Sequence, residues 1–185
     1  MMTVVGPGVL TTVGAVDTKN TVTRSDDEVA PYSSRGPTWY DGYAKPDVVA
    51  PGRHVVSFMA NDSYLSRRYP NWTATVATRT YMSLSGTSMA AAVATGVVAD
   101  IIDESRHASG GASPSPNLVK AILQSTSINL PTADVRTQGA GSINAAGAIT
   151  LADAIDTREP VSSPWLEVCV TPSTTLSNGE VLTWA

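Results

Sequence analysis

Residues 83–92 read Ser-Leu-Ser-Gly-Thr-Ser-Met-Ala-Ala-Ala and run straight into the most apolar helical segment of the chain. Gly86, Thr87 and Ser88 at the mouth of a helix place a hydroxyl among backbone N–H groups that the helix cannot pair internally. Those donors can receive the oxyanion of a tetrahedral intermediate, and the helix dipole favours negative charge there. The chemistry this suits is attack by the Ser88 hydroxyl on a carbonyl carbon. Taken without its surroundings, Ser88 also reads as an ordinary N-cap serine.

A serine nucleophile needs a general base, and the chain has two histidines, His54 and His107. His107 lies nineteen residues beyond Ser88 on the same helix, which separates them by roughly 28 Å along the axis, far outside hydrogen-bond reach. At a helix C-terminus, His107 has a simpler role against the dipole and the last carbonyls. The acidic run Ser25-Asp26-Asp27-Glu28 lacks spaced oxygen partners and reads as solvated surface rather than a metal site. One cysteine, Cys169, excludes an intrachain disulfide and a cysteine-based metal cluster.

The elements that position the serine follow from periodicity and turn chemistry. Val9–Val16 is rich in β-branched residues and reads as a buried strand. Lys45–Gly52 is a short strand closed by Pro51-Gly52, and His54–Phe58 is another. Residues 60–72 are a polar, aromatic excursion, and 73–83 alternates as a strand or hairpin arm. The helix from about Thr87 to Arg106 is apolar nearly all round in its first half, the pattern of a buried helix. A second helix starts at Ser115 as N-cap with Pro116 first inside, and a third at Asn144. Glu159–Pro164 reads as a linker, with short strands at Leu166–Val170 and Glu180–Trp184 around a Ser-Asn-Gly turn. The division expected is 1–157 as one domain part and 158–185 as linker and the start of a β tail.

The chain has 185 residues, 42% apolar and 15% charged, with a formal net charge of −4. That is enough for one core, and it gives no reason to expect nucleic acid or an anionic membrane as partner. Met1–Val5 has no basic n-region and Gly6-Pro7-Gly8 interrupts it, so no signal peptide is expected. The apolar stretch from Met89 to Ile102 is too short and too polar to span a bilayer.

Three segments in order resemble the subtilases, the subtilisin-like serine peptidases: Val13-Gly14-Ala15-Val16-Asp17; Tyr32-Ser33-Ser34-Arg35-Gly36-Pro37 with Lys45-Pro46-Asp47-Val48-Val49-Ala50-Pro51-Gly52; and Ser85-Gly86-Thr87-Ser88-Met89-Ala90 with Gly96. Gln138-Gly139-Ala140-Gly141 and Asn144-Ala145-Ala146 are also similar to the end of subtilase catalytic domains. The resemblance implies an α/β three-layer sandwich with a mostly parallel sheet, its N-terminal part missing here. It implies peptide-bond hydrolysis through an acyl-enzyme on Ser88, with the Ser88 amide as an oxyanion donor and Thr87 in support. Leu84, Ser85 and Gly86 would border the cleft. Substrates would be proteins or peptides and the full-length protein extracellular. No cofactor is expected beyond a structural calcium, for which no ligands can be named.

The family's Asp-Ser/Thr-Gly strand end, His-Gly-Thr-His helix and oxyanion asparagine have no match in the chain. Asp17 closes a strand and is not the triad aspartate, and His54 stands where the family uses no base. Ala92 replaces the proline many subtilases carry four residues after the nucleophile, which relaxes the first helical turn. The expectation is a fragment without useful activity of its own, whose partner is the missing N-terminal half of the catalytic domain. The alternative is a non-catalytic subtilase relic acting as a binding or scaffold module.

Overall fold

Strands β1 (Met2–Gly6) and β2 (Val9–Asp17) form an antiparallel pair, with Gly6 opposite Val9. The computed structural model describes residues 2–6, 9–159, 164–166 and 168–185. β3 (Glu28–Val29) pairs antiparallel with the end of β2, on the edge shared with β1, and β4 (Val48–Pro51) runs parallel to β2 on the other edge. The sheet is therefore not mostly parallel among the described residues. Chain length explains this: two residues separate β1 from β2, which permits only an antiparallel return, whereas a parallel neighbour needs a crossover of a dozen residues or more. The thirty residues between β2 and β4 supply one.

Strand alternation sorts the side chains. Val13 and Ala15 of β2, with Val48 and Ala50 of β4, pack on one face with Ala90 and Ala94, while Val16 and Val49 on the opposite face meet Leu130. The first face is covered by helix. The second is covered by the irregular segment around Leu130 and Ala133, which Gln138 holds in shape: its Oε1 accepts the Leu130 amide and its Nε2 donates to the carbonyls of Leu130 and Ala133. Among the described residues this second face is thus covered by an irregular segment rather than by a long helix.

β5 (Val55–Phe58), β6 (Thr73–Val76) and β7 (Arg79–Leu84) form a separate antiparallel sheet in the order β5-β7-β6. Between β5 and β6 the excursion contains the short helix α1 (Tyr64–Arg68), capped by the Ser63 hydroxyl, and a 3-10 turn over Pro70–Trp72. β7 leads into α2 (Thr87–Ala108). α3 (Pro116–Ser125) begins where Ser115 accepts the Leu118 amide, and α5 (Ala145–Asp153) where Asn144 accepts the Gly147 amide, with α4 (Val135–Gln138) between them. Val97 and Ile101 of α2, Ile122 and Leu123 of α3, and Ala148 and Ala152 of α5 form the helical core.

The tail makes a hairpin of β8 (Ser173–Thr175) and β9 (Val181–Thr183), so its first strand falls later than Leu166–Val170. Leu166 instead bridges to Ile155. The hairpin packs on the body: the Thr174 hydroxyl accepts from Asn144 and from the Trp184 indole, and Ala185 donates its amide to the Ser127 carbonyl.

One ion cluster ties α3 to the sheet. Asp47 is buried, with Lys45 and Lys120 each 2.8 Å from its carboxylate and the Thr12 amide and hydroxyl donating to it. Burial pushes the Asp47 pKa up, but the bonds from Lys120, Lys45 and Thr12 outweigh it and hold the carboxyl at about 2, against 3.8 ordinarily. A depressed folded-state pKa stabilises above the unfolded value and is lost as pH falls through the folded one. The cluster should therefore contribute about 2 kcal/mol above pH 4 and lose it between pH 4 and 2. Urea midpoints measured across that window should fall less in Asp47→Asn than in the parent, and parallel acid limbs would refute the assignment.

Candidate functional site

Ser88 stands in the first turn of α2, exposed, and its hydroxyl makes no hydrogen bond among the described residues. Gly86 precedes the helix at φ 156°, in a region L side chains rarely adopt, and its carbonyl accepts the amides of Met89 and Ala90. The Thr87 and Ser88 amides lie ahead of those bonds and donate to no group among the described residues. A free hydroxyl and two free N–H groups at the positive end of a 22-residue helix suit a nucleophile with oxyanion donors beside it.

The strand ends fix this turn. The Gly86 amide donates to the Gly52 carbonyl at 2.8 Å, and the Tyr32 hydroxyl donates to the same oxygen at 2.9 Å. Gly52 must be glycine: a Cβ there would meet the Ala15 Cβ at 2.7 Å, the Gly86 carbonyl oxygen at 3.0 Å and the Ala90 Cβ at 3.1 Å. Gly52→Ala is expected to cost about 1–3 kcal/mol through overpacking and to displace the Ser88 turn. Chemical denaturation checks the first effect; in a form that turns over substrate, a lowered kcat checks the second. Unchanged values for both would refute the close approach.

Ser85 is exposed and its hydroxyl accepts the His54 amide at 3.0 Å, so it anchors the corner before β5, where His54 has φ 52°. Leu84 ends β7 opposite Val55. It lines two grooves, one of about 560 Å³ shared with Ser88, Met89 and Val93, and one of about 610 Å³ shared with His54 and Ser85. Leu84, Ser85, Gly86, Thr87 and Ser88 thus lead from the end of β7 into α2, and Ser88 lines the first groove while His54 lines the second. His107 is exposed in the last turn of α2.

Asp17 is engaged away from Ser88, 2.6 Å from Arg53 and 3.3 Å from Lys19. Burial raises its pKa, but bonds from Lys19 and the charge of Arg53 leave it below the usual range. Asp27 departs from the solvated reading of its acidic run: it is fully buried, 3.2 Å from Arg24, and burial raises its pKa. No three His, Cys, Asp or Glu side chains converge as a metal site among the described residues. Asp17 and Asp47 are each paired with side-chain cations.

Sequence reasoning missed Tyr32, Gly52 and Ser33, whose hydroxyl accepts the Ala15 amide at 3.0 Å. Tyr32 and Ser33 belong to a motif that was visible, but only the fold shows that Tyr32 reaches the Gly52 carbonyl that also holds Gly86. α2 is buried on one side only. Ala90, Ala91, Ala94, Val97 and Ile101 are buried, whereas Ser88, Ala92, Thr95, Gly96 and Ala99 form an exposed stripe.

A family model described as the Subtilase family matches residues 8–147. Serine protease AprX of Bacillus subtilis is 35% identical over 150 residues, covering 80% of this chain and 32% of AprX. The serine protease/ABC transporter B family protein tagA of Dictyostelium discoideum is 34% identical over 144 residues, 71% of this chain and 8% of that protein. The chain thus spans about a third of the first relative and a small part of the second. Among solved structures, the CspB protease of Clostridium perfringens superposes with a TM-score of 0.57 at 19% identity, covering 77% of this chain and 26% of CspB. The prenylagaramide maturation protease PagA superposes at 0.52 with 24% identity, covering 75% and 40%. At these identities the two structures speak for the fold.

Proposed function

The chain belongs to the subtilase family, and from that premise we propose that it carries the nucleophile portion of a serine endopeptidase. Ser88 attacks the scissile carbonyl, the peptide C–N bond breaks as the amine leaves with a proton, and water later hydrolyses the acyl-Ser88 ester. The Ser88 amide holds the oxyanion, with Thr87 in support, and Leu84, Ser85 and Gly86 border the cleft. The observation that carries this reading is the unpaired Ser88 hydroxyl beside free amides at the start of α2.

The base that takes the Ser88 proton, its carboxylate partner and a second oxyanion donor come, on this proposal, from polypeptide outside these 185 residues, packed over the exposed stripe of α2. The substrate is a protein or peptide, and the whole protein acts outside the cell. Among the described residues no helix is long and apolar enough to cross a membrane.

The test is to complete the domain. Residues 9–157 are fused behind the part of AprX that precedes its matched region, and the product is assayed on casein and with a fluorophosphonate probe. Hydrolysis with covalent labelling of Ser88 is the expected result. A folded fusion that neither cleaves nor labels would favour the non-catalytic binding module.

A further inference from the structure

A backbone carbonyl has two lone pairs, and at Gly52 the fold fills both from separate segments. The Gly86 amide donates at 2.8 Å from the turn that leads into α2, and the Tyr32 hydroxyl donates at 2.9 Å from the segment that follows β3. Neither end of this brace is loose. Tyr32 stands between two contacts to β2: the Ala30 amide donates to the Ala15 carbonyl at 2.8 Å, and the Ser33 hydroxyl accepts the Ala15 amide at 3.0 Å. Gly52 donates its own amide to the Val16 carbonyl at 3.0 Å. β2 therefore anchors both the phenol and the carbonyl it grips. Ser85, next to Gly86, accepts the His54 amide at 3.0 Å, and its hydroxyl neighbours the Tyr32 phenol. Tyr32 is 44% exposed and is in none of the three apolar clusters, so core packing does not account for its placement.

We propose that Tyr32 is a positioning residue for the reaction at Ser88: its hydroxyl fixes the Gly52 carbonyl, and through Gly86 the orientation of the Thr87 and Ser88 amides. This rests on the reading of Ser88 as a peptidase nucleophile. Gly86, at φ 156°, has no Cβ to limit its backbone, so its hydrogen bonds set its orientation. Its carbonyl is held by the Met89 and Ala90 amides, which belong to the helix, and its amide by Gly52 alone. A carbonyl with one donor can tip with that donor; a second donor, mounted on β2, holds it still. Misplacement by 1 Å can cost about 10²-fold in rate, so a partial loosening of this brace should cost less but remain measurable. Burial pushes the Tyr32 phenol above its ordinary pKa of 10.0, with Arg53 opposing, so the hydroxyl remains a donor through neutral pH.

The test compares Tyr32→Phe with its parent in the AprX fusion. The substitution keeps the ring and removes only the donor. On a peptide anilide, kcat should fall about tenfold while KM stays within about twofold, the pattern of an interaction that matters in the transition state. The melting temperature should stay close to the parent's. Tyr40→Phe, at a side chain 91% exposed in the neighbouring loop, should match the parent throughout. The pH profile supplies a second readout. Besides the Ser85 hydroxyl, the charged groups that bear on the phenol are Arg53 and Asp17, and both keep their charge at alkaline pH. The parent's rate should therefore fall as the phenol itself ionises and stops donating, and Tyr32→Phe should lack that limb. An active fusion whose kcat is unchanged in Tyr32→Phe, or whose KM alone rises, would overturn the proposal. Amide exchange over residues 85–88, followed by mass spectrometry in the 185-residue chain and in the fusion, separates it from the peptidase reading. Faster exchange in Tyr32→Phe with an inert parent fusion leaves the brace standing and removes the peptidase. An active fusion indifferent to Tyr32 does the reverse.

Discussion

Replacing Ser88 by alanine in the AprX-completed enzyme is expected to lower kcat by about 10⁶-fold with little change in KM, the scale known for loss of the serine in subtilisin itself. The size follows from where the hydroxyl sits. It is an exposed hydroxyl beside the free Thr87 and Ser88 amides. The Ser85 hydroxyl already accepts the His54 amide. The alanine variant keeps the helix, its dipole and its amides, so substrate binding and part of the oxyanion stabilisation survive. Steady-state kinetics on a peptide anilide measure the loss. A reduction below a hundredfold would remove Ser88 from the chemistry.

The 185-residue chain alone is expected to run at least about 10⁴-fold below the completed enzyme, because a serine hydroxyl without a base is a weak nucleophile. His107 stands at the other end of a 22-residue helix from Ser88. His54 lines a groove that Ser88 does not line. His54→Ala and His107→Ala should therefore leave the completed enzyme's rate unchanged within about twofold, and a bell-shaped pH profile lost in either variant would refute this. The same absence should be visible physically. With Ala92, Thr95, Gly96 and Ala99 of α2 open to water, the chain alone should self-associate, and the fusion should not. Light scattering of both separates the two, and a monomeric isolated chain with a sharp reversible melt would count against an uncovered face.

Much of the site was legible before the fold. Ser115-Pro116 and Asn144 announce helix starts because capping is local chemistry, and both side chains make the expected bond to the third amide of their helix. The β-branched run Val9–Val16 announced a buried strand, and β2 covers Val9–Asp17 with Val13, Ala15 and Val16 buried. The Gly86-Thr87-Ser88 turn was readable for the same reason: glycine, hydroxyl and helix mouth are neighbours in sequence.

What stayed hidden depends on burial and register, which no local pattern records. Asp27 looked solvated because three polar residues surround it, and only the fold turns it inward onto Arg24. The stacking of Phe58 on Tyr81 and of Tyr69 on Trp72 needed the register of β5 and β7 and the path of the excursion between them. By itself the sequence determined the family and the place of the Gly86-Thr87-Ser88 turn at a helix mouth, because these rest on residue identity and short spacing. Tertiary structure decided that Gly52 and Tyr32 hold the Gly86-Thr87-Ser88 turn, that α2 is covered on one face, and that Phe58 stacks on Tyr81. Those are matters of close approach between segments twenty or more residues apart, where a single Cβ or one strand register changes the outcome and no local pattern records it.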